Sequence, residues 1–325
     1  MADNQGVLVF AEVNNGKLAA VAKEGIGIGA QLGGGVSALV IGTGTAATGQ
    51  ELVAAGADKV YTFEDAELAA YQPDAYLQIL EQAVAADSPK VILMGHTDTA
   101  KDLAPKLAFR LGAGLTMDAV ELVAEGDKLS ATKPVYGGNA RAILETSTDI
   151  RMATLRPKAF EPLSDPSTSG TIIPLDAKLD QEAIKVRVTE VKKEESTGMR
   201  LEDAPVVVSG GRGLGGPEPF EQLEDLAKVL GGAVGASRAV CDAGWMPHAI
   251  QVGLTGKTVT PDLYVSIAIS GASQHMAGCT GSKTIVAINK DKDCNMFKEA
   301  QYGVDGDWQE VLPAFIEMCR ELRGS

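Results

Sequence analysis

The sequence is poor in positive charge, cysteine, histidine and aromatic side chains. Lys and Arg number 29 against 43 Asp and Glu, a formal net charge of -14. Phosphate contacts need clustered cations, so this balance argues against a nucleic-acid partner. It leaves two readings open: a field that steers docking onto a basic partner, or plain solvated acidic surface. The cysteines stand at 241, 279, 294 and 319. They form no CxxC pair and lack the density of a disulfide scaffold, which points to reduced thiols and a cytoplasmic setting. His96, His248 and His275 are the only histidines. They show no metal-ligand spacing, and no metal is expected. No stretch approaches the roughly 18 consecutive apolar residues of a membrane-spanning helix. The opening MADNQ runs into GVLVFAEV without a charged-then-apolar leader, so membrane insertion is not expected.

Glycine is abundant, with 37 residues, and aromatics make up only 5% of a chain that is 45% hydrophobic. Plentiful Ala, Val and Gly suit α/β layers, where small residues let helices sit close on a sheet. At 325 residues the chain exceeds what one core usually serves, and two domains are expected. Strand-like runs at Val7–Val13, Ser37–Ile41, Lys59–Phe63 and Lys90–Met94 alternate with helical stretches at Lys17–Leu32, Glu51–Ala57, Ala66–Ala86 (broken by Pro73) and Asp98–Leu111. That rhythm predicts a mostly parallel sheet. Between 129 and 157 polar and apolar residues alternate around Gly137, Gly138 and Asn139, the chemistry of a hairpin turn or, less simply, a ligand loop. Residues 189–204, TEVKKEESTGMRLEDA, are highly charged and nearly free of large apolar side chains. They predict a domain boundary: residues 1–195 form an N-terminal α/β domain, 196–203 a linker able to hinge, and 204–325 a second α/β domain. In the second, strands are expected at Ala204–Ser209, Ala233–Ser237, Leu263–Ile269 and Lys283–Ile288, with helices at Pro217–Leu230 and Asp307–Leu322.

The glycine clusters of the second half carry the chemistry. APVVVSGGRGLGG has the order strand, glycine loop, helix that suits a phosphate, because helix N-termini present free N–H groups and glycines allow close approach. Its spacing is neither G-x-G-x-x-G nor a Walker motif, and a structural tight turn explains it nearly as well. Arg238, after the strand ending at Ser237, either serves a ligand or pairs with Asp242 on the surface. QVGLTGK at 251–257 can aim backbone N–H groups and one hydroxyl at a planar ring. SGASQH at 270–275 opens a helix with Ser270 as its expected N-cap. Several of these clusters follow strands, and open α/β sheets bind ligands at strand C-termini.

In order and spacing, SGGRG, GASRAVCDAG, QVGLTGK, LYVSIAISGASQHMAG and SKTIVAINKD resemble the FAD-binding domain of electron-transfer flavoprotein alpha subunits. The likeness is dense over 205–310, and KDLAPKLAFRLGAGLTMDAVEL at 101–122 extends it to that family's N-terminal domain. The resemblance implies two domains, each on a mostly parallel sheet flanked by helices, the C-terminal one a Rossmann-like FAD-binding fold and the N-terminal one a packing and docking scaffold. It implies that Arg212, Gly213 and Ser237 wall the FAD and that Arg238 lies over the isoalloxazine. Thr255 would bond near flavin N5, with Gln251, Val252, Gly253 and Leu254 lining the same loop. Ser270, Gly271, Ala272, Ser273 and Gln274 would wrap the ribityl and pyrophosphate, and His275 would face flavin O2. Asn289 would hold the middle of the cofactor, and Asp307 with Trp308 its adenosine end. Arg238, Thr255 and His275 are the expected tuning residues. A cation over the ring and a donor at O2 both favour negative charge near N1 and O2 of a reduced flavin.

The resemblance implies an electron carrier rather than an enzyme. It would be the alpha subunit of a heterodimer whose beta subunit shares the FAD cleft, taking electrons from flavin dehydrogenases such as the acyl-CoA dehydrogenases of fatty acid beta-oxidation. The acceptor would be a quinone oxidoreductase or another carrier. An electron-bifurcating relative, with a second FAD in the beta subunit and NADH as reductant, is the nearest alternative. Two further readings are a hydrolase, for which GASRA lacks the final glycine of a nucleophile elbow, and an inert nucleotide-binding subunit.

Overall fold

Val7–Ala11, VLVFA, is apolar at every position and all five residues are buried, as expected of a strand covered on both faces. It is the central strand β1 of the first of two units in this computed structural model. The described residues are 6–323 apart from 15, 127, 139, 167–168 and 191–198. Those from 6 to 190, one hairpin tip aside, make up the first unit, and those from 199 the second.

After β1 come the short pair β2 (Val13–Asn14) and β3 (Lys17–Leu18), then α1 (Ala20–Leu32), β4 (Val36–Gly42), α2 (Thr45–Ala54), β5 (Lys59–Glu64), α3 (Pro73–Asp87), β6 (Val91–Gly95) and α4 (Asp98–Leu111). The unit continues through β7 (Gly114–Ala119), β8 (Glu121–Glu125), β9 (Lys128–Val135), β10 (Ala140–Thr146), β11 (Arg151–Leu155) and β12 (Thr171–Pro174). Seven strands form a parallel sheet in the order β12-β5-β4-β1-β6-β11-β7. The period of two sorts β1 between two cores. Val7, Val9 and Ala11 pack with α1 and α2 on one face, while Leu8 and Phe10 pack with α3 and α4 on the other.

Several boundaries depart from the sequence reading for local reasons. Lys17 and Leu18 pair with Asn14 and Val13, so the helix expected from Lys17 begins at Ala20. The helix expected at Glu51–Ala57 instead covers Thr45–Ala54. Its start is secured by the Glu64 carboxylate, which accepts from the backbone N–H groups of Gly44 and Thr45 at 2.8 Å each. Pro73 opens α3 at its first turn, where no N–H is required, rather than breaking a longer helix. The hairpin expected over 129–157 is β9 with β10, joined by β8 into a three-stranded antiparallel sheet, whereas Arg151–Leu155 leaves it for the parallel sheet. Asn139, expected in the hairpin turn, lies outside the described residues.

The second unit runs β13 (Val206–Gly210), α5 (Phe220–Leu230), β14 (Ala233–Ser237), α6 (Arg238–Asp242), β15 (Gln251–Val252), β16 (Leu263–Ile267), α7 (Ser273–Met276), β17 (Thr284–Asn289), α8 (Met296–Glu299), β18 (Tyr302–Asp305) and α9 (Trp308–Arg323). Its six strands are parallel in the order β15-β14-β13-β16-β17-β18. The chain builds outward from β13 to β15 and then returns to start again at β16, the order of a doubly wound nucleotide-binding fold. The point of return, between β13 and β16, is where the strand ends diverge and leave a crevice. Phe220 and Leu223 of α5 and Leu312 and Ile316 of α9 fill one face of the sheet; Tyr264, Met276 and Met296 belong to the core on the other. Of the expected linker, 196–198 lie outside the described residues, but Leu201 is 5% exposed and belongs to the second core. Glu202 also pairs with Lys257 at 2.7 Å. This end of the charged stretch is therefore fastened to the domain that follows it.

Candidate functional site

A cleft of about 670 Å³ opens at the C-terminal ends of the central strands of the second unit, within the range of ~300–1,000 Å³ usual for small-molecule sites. Close backbone packing brings its loops together. A Cβ on Gly211, just past β13, would lie 2.1 Å from the carbonyl oxygen of Ala268, just past β16. Ala268 itself takes φ +55°, a left-handed conformation that costs energy for a residue with a Cβ. Gly253 has φ +145°, and a Cβ there would come within 2.9 Å of the Gln274 carbonyl oxygen. That carbonyl accepts from the Leu254 N–H at 2.7 Å, fastening the 251–257 loop to α7.

Most of the residues singled out in the sequence line this cleft. Arg212 and Gly213 come from the loop after β13, Ser237 and Arg238 from the junction of β14 and α6, and Gln251–Thr255 from β15 and its loop. Ser270, Ala272, Gln274 and His275 come from the segment after β16, and Asn289 from the end of β17. Gly271, Ser273, Asp307 and Trp308 are not among the lining residues. Gly271 packs against the backbone of Met296, and Asp307 accepts from the Gln309 N–H at 3.0 Å at the start of α9. Trp308 packs against the core between the sheet, α5 and α9. Ser270 is not an N-cap as expected: α7 begins at Ser273 with Ala272 before it and no side-chain cap. Ser270 is instead exposed on the cleft wall.

The sequence reading assigned no role to Ala239, Ala268, Ile269, Asp291 and Cys294, although all but Cys294 lie inside the motifs it quoted, and it considered Asp242 only as an alternative partner for Arg238. All six line the cleft. The Arg238–Asp242 pair forms at 3.2 Å, with side chains 64% and 52% exposed, so solvent screens it. The spacing of four residues on a helix was the only sequence signal for that contact.

Three side chains have their approach fixed by neighbours. Gln251 is buried, and its Nε2 donates to Thr255 Oγ1 at 3.1 Å while its Oε1 meets His248 Nδ1 at 3.0 Å. His248, given no role in the sequence reading, thus braces the residue that holds Thr255. Asn289 Nδ2 donates to the Ile269 carbonyl at 3.0 Å, tying β17 to the cleft floor. His275 is 7% exposed, and its Nε2 stands 2.8 Å from the hydroxyl of Tyr264. Its Nδ1 is buried without a hydrogen-bond partner. Burial pushes the His275 pKa down to about 4, opposed by the nearby backbone of Val252, so the ring is neutral at physiological pH. His96, in the first unit, is half-buried; desolvation holds its pKa down to about 4, and its Nδ1 lies 2.8 Å from Thr154 Oγ1.

Residues 7–194 match the electron transfer flavoprotein domain and residues 200–280 the electron transfer flavoprotein FAD-binding domain. The chain belongs to the electron transfer flavoprotein alpha-subunit family. Its second unit is accordingly that family's FAD-binding domain, and the cleft lies in it. The chain is 41% identical to the electron transfer flavoprotein subunit alpha of Bacillus subtilis, over 97% of this chain and 98% of the relative. It is 41% identical to the subunit of the same name from Thermoanaerobacterium thermosaccharolyticum, over 99% of this chain and the whole relative. It is also 38% identical to Protein FixB of Rhizobium meliloti, over 97% of this chain and 93% of the relative. As members of this family are electron carriers, no substrate-converting centre is required of the cleft. Among the described residues no helix is long and apolar enough to cross a membrane, and no cluster of His, Cys, Asp and Glu could hold a metal ion.

Proposed function

We propose that this chain pairs with a beta subunit, holds one FAD in the cleft of its second unit, and relays electrons between proteins in the cytoplasm. The donors are flavin dehydrogenases of the acyl-CoA dehydrogenase type, and the acceptor is a quinone oxidoreductase or another carrier. The observation that carries this reading is the convergence of Arg238, Thr255 and His275 on one crevice, the last with a buried ring nitrogen left unpaired. An unpaired buried polar atom is costly unless something binds it, and the cofactor of this domain offers acceptor atoms. The glycine-packed loops supply the close backbone approach that a large planar ligand needs.

When bound, FAD supplies one- and two-electron chemistry. The chain's own part is electrostatic and positional. Arg238 places a cation against the ring, where it favours negative charge. Thr255, held by Gln251, offers a hydroxyl near N5, and His275 offers a donor near O2. Asn289 and the Ser270–Gln274 segment orient the rest of the cofactor, and a fixed array of this kind needs no reorganisation when charge arrives.

The test is purification of the intact heterodimer, with flavin counted per dimer and NADH oxidation measured. A yellow protein with one flavin, no NADH reaction, and reduction by an acyl-CoA dehydrogenase with its substrate is the expected result. Two flavins with NADH oxidation would assign it to the bifurcating type, and a colourless protein that takes up no FAD would end the reading altogether.

A further inference from the structure

The geometry points to Glu202 as a positioning residue for the cleft: through Lys257 it fixes the 251–257 loop, and with it the Thr255 hydroxyl. This rests on the reading of Thr255 as a cofactor-facing residue, and it names what holds that residue's loop from outside the cleft.

The loop closes on itself. The Lys257 N–H donates to the Gln251 carbonyl at 2.7 Å, the Gly253 N–H to the Lys257 carbonyl at 3.1 Å, and the Gly256 N–H to the Gly253 carbonyl at 3.0 Å. A Cβ on Gly256 would lie 2.4 Å from the Gln251 carbonyl oxygen, so the closure has no slack there. These bonds set the internal shape of the loop and make its two ends move together. Its placement on the unit depends on contacts with other segments. Gln251 and Val252 pair with β14, and the Leu254 N–H is bonded to Gln274. The far end is held by its side chain, with Lys257 Nζ 2.7 Å from Glu202 Oε1.

Glu202 is a firm anchor. Leu201 and Ala204 on either side of it are buried in the core. The Asp203 and Ala204 N–H groups bond back to the Arg200 and Leu201 carbonyls at 3.2 and 3.4 Å, a tight turn just before β13. The Glu202 and Lys257 side chains are 30% and 34% exposed. Solvent and salt screen a pair so placed less than one on open surface, and a charge-assisted bond is about twice as strong as a neutral one. Burial alone would raise the Glu202 pKa. The bond from Lys257 outweighs it, with help from Arg200 at 3.7 Å, and the carboxyl is held below its ordinary value. Neither Glu202 nor Lys257 lines the cleft. What the pair delivers to a ligand is therefore the position of the loop, within which Gln251 orients the Thr255 hydroxyl. Glu202 also lies at the end of the charged stretch that leads into this unit, so one side-chain contact links that stretch to the cleft.

The test uses the intact heterodimer. Glu202→Gln keeps the size of the side chain and removes its charge. Hydrogen exchange of the 251–257 amides, read by mass spectrometry, should speed up about tenfold, the low end of what a hydrogen bond to a charged group is worth. Exchange in β13 and β16 should stay as in the wild type. Lys257→Met removes the other half of the pair and should act alike, and it serves alone if Glu202→Gln does not fold. With FAD bound, Glu202→Gln should shift the midpoint potential in the same direction as Thr255→Ala and by less. In a Thr255→Ala background it should shift nothing further, because it acts through that residue. Unchanged loop exchange overturns the proposal, as does a potential shift that persists at full size without the Thr255 hydroxyl. A colourless heterodimer would defeat the FAD reading but leave the exchange measurement standing, so the two failures are told apart.

Discussion

Arg238 is one of two arginines lining the cleft, with Arg212, and it shares its charge with Asp242 at 3.2 Å. Arg238 and Asp242 should act on a bound flavin with opposite signs. Arg238→Ala should lower the flavin midpoint potential by tens of millivolts, since about 59 mV corresponds to a tenfold change in a one-electron equilibrium. Asp242→Asn should raise it by a smaller amount, because freeing the guanidinium strengthens its field on the ring. Both side chains are more than half exposed, so the Asp242→Asn effect should shrink as salt rises from 0.05 to about 0.5 M. Potentiometric titration at the two salt concentrations checks this, and equal shifts of the same sign in both variants would contradict it. At this scale the sequence was uneven. Arg238, Thr255 and His275 could be read from the glycine clusters around them. Tyr264 could not, because one tyrosine inside LYVSIAIS carries no mark distinguishing a packed ring from one whose hydroxyl meets a cleft histidine.

Among the elements, the junction of β1 and α4 has the plainest pH dependence. Glu12, just past β1, accepts from the hydroxyl of Thr97, and that hydroxyl also caps α4 by accepting from the Ala100 N–H. Burial raises the Glu12 pKa from 4.5 to about 7, against the opposing bonds from Thr97 and Thr99. The folded protein therefore holds this proton more tightly than the unfolded chain. Its contribution to stability is complete below pH 4.5 and is lost as pH rises through about 7, a difference of roughly 3 kcal/mol. Glu12→Gln keeps an acceptor for Thr97 without the titration. It should flatten stability between pH 5 and 8 and raise it at pH 8, as read by denaturant midpoints at the two pH values. An unchanged pH slope would show that Glu12 is charged in the fold. Glu64, at the start of α2, works in the opposite sense. It is lowered by the Thr45 hydroxyl and by the N–H groups it caps, and Glu64→Ala should cost about 1 kcal/mol at neutral pH by uncapping the helix. That cap is also why the start of α2 escaped the sequence reading, since a carboxylate 19 residues away in the chain supplies it.

The molecule builds two parallel sheets, each with a reversal beside a central strand, yet they are used differently. In the first unit, acidic side chains fill the strand ends: Glu12 bonds to Thr97 beyond β6, and Glu64 takes the helix start beyond β4. In the second, the equivalent ends stay open as the cleft. The alternation of strand and helix made both sheets legible because apolar runs and glycine breaks are local signals. Strands β15 and β18, of two and four residues, were missed because neighbouring strands make them, not their own composition. The net charge of -14 belongs to the whole surface. If it steers the carrier to basic partners, stopped-flow reduction by a donor dehydrogenase should slow severalfold between about 0.02 and 0.2 M salt; a rate indifferent to salt would leave the charge as a matter of solubility. The contact of Gly211 with Ala268 has a consequence for recombination. It is a seam between the first three strands of the second unit and the last three, with no room for a methyl group on one side and a left-handed alanine on the other. A chimera that takes these halves from different parents inherits the two sides of the seam separately. Its yield of folded protein will depend on whether the parents agree at two positions, whatever their similarity elsewhere.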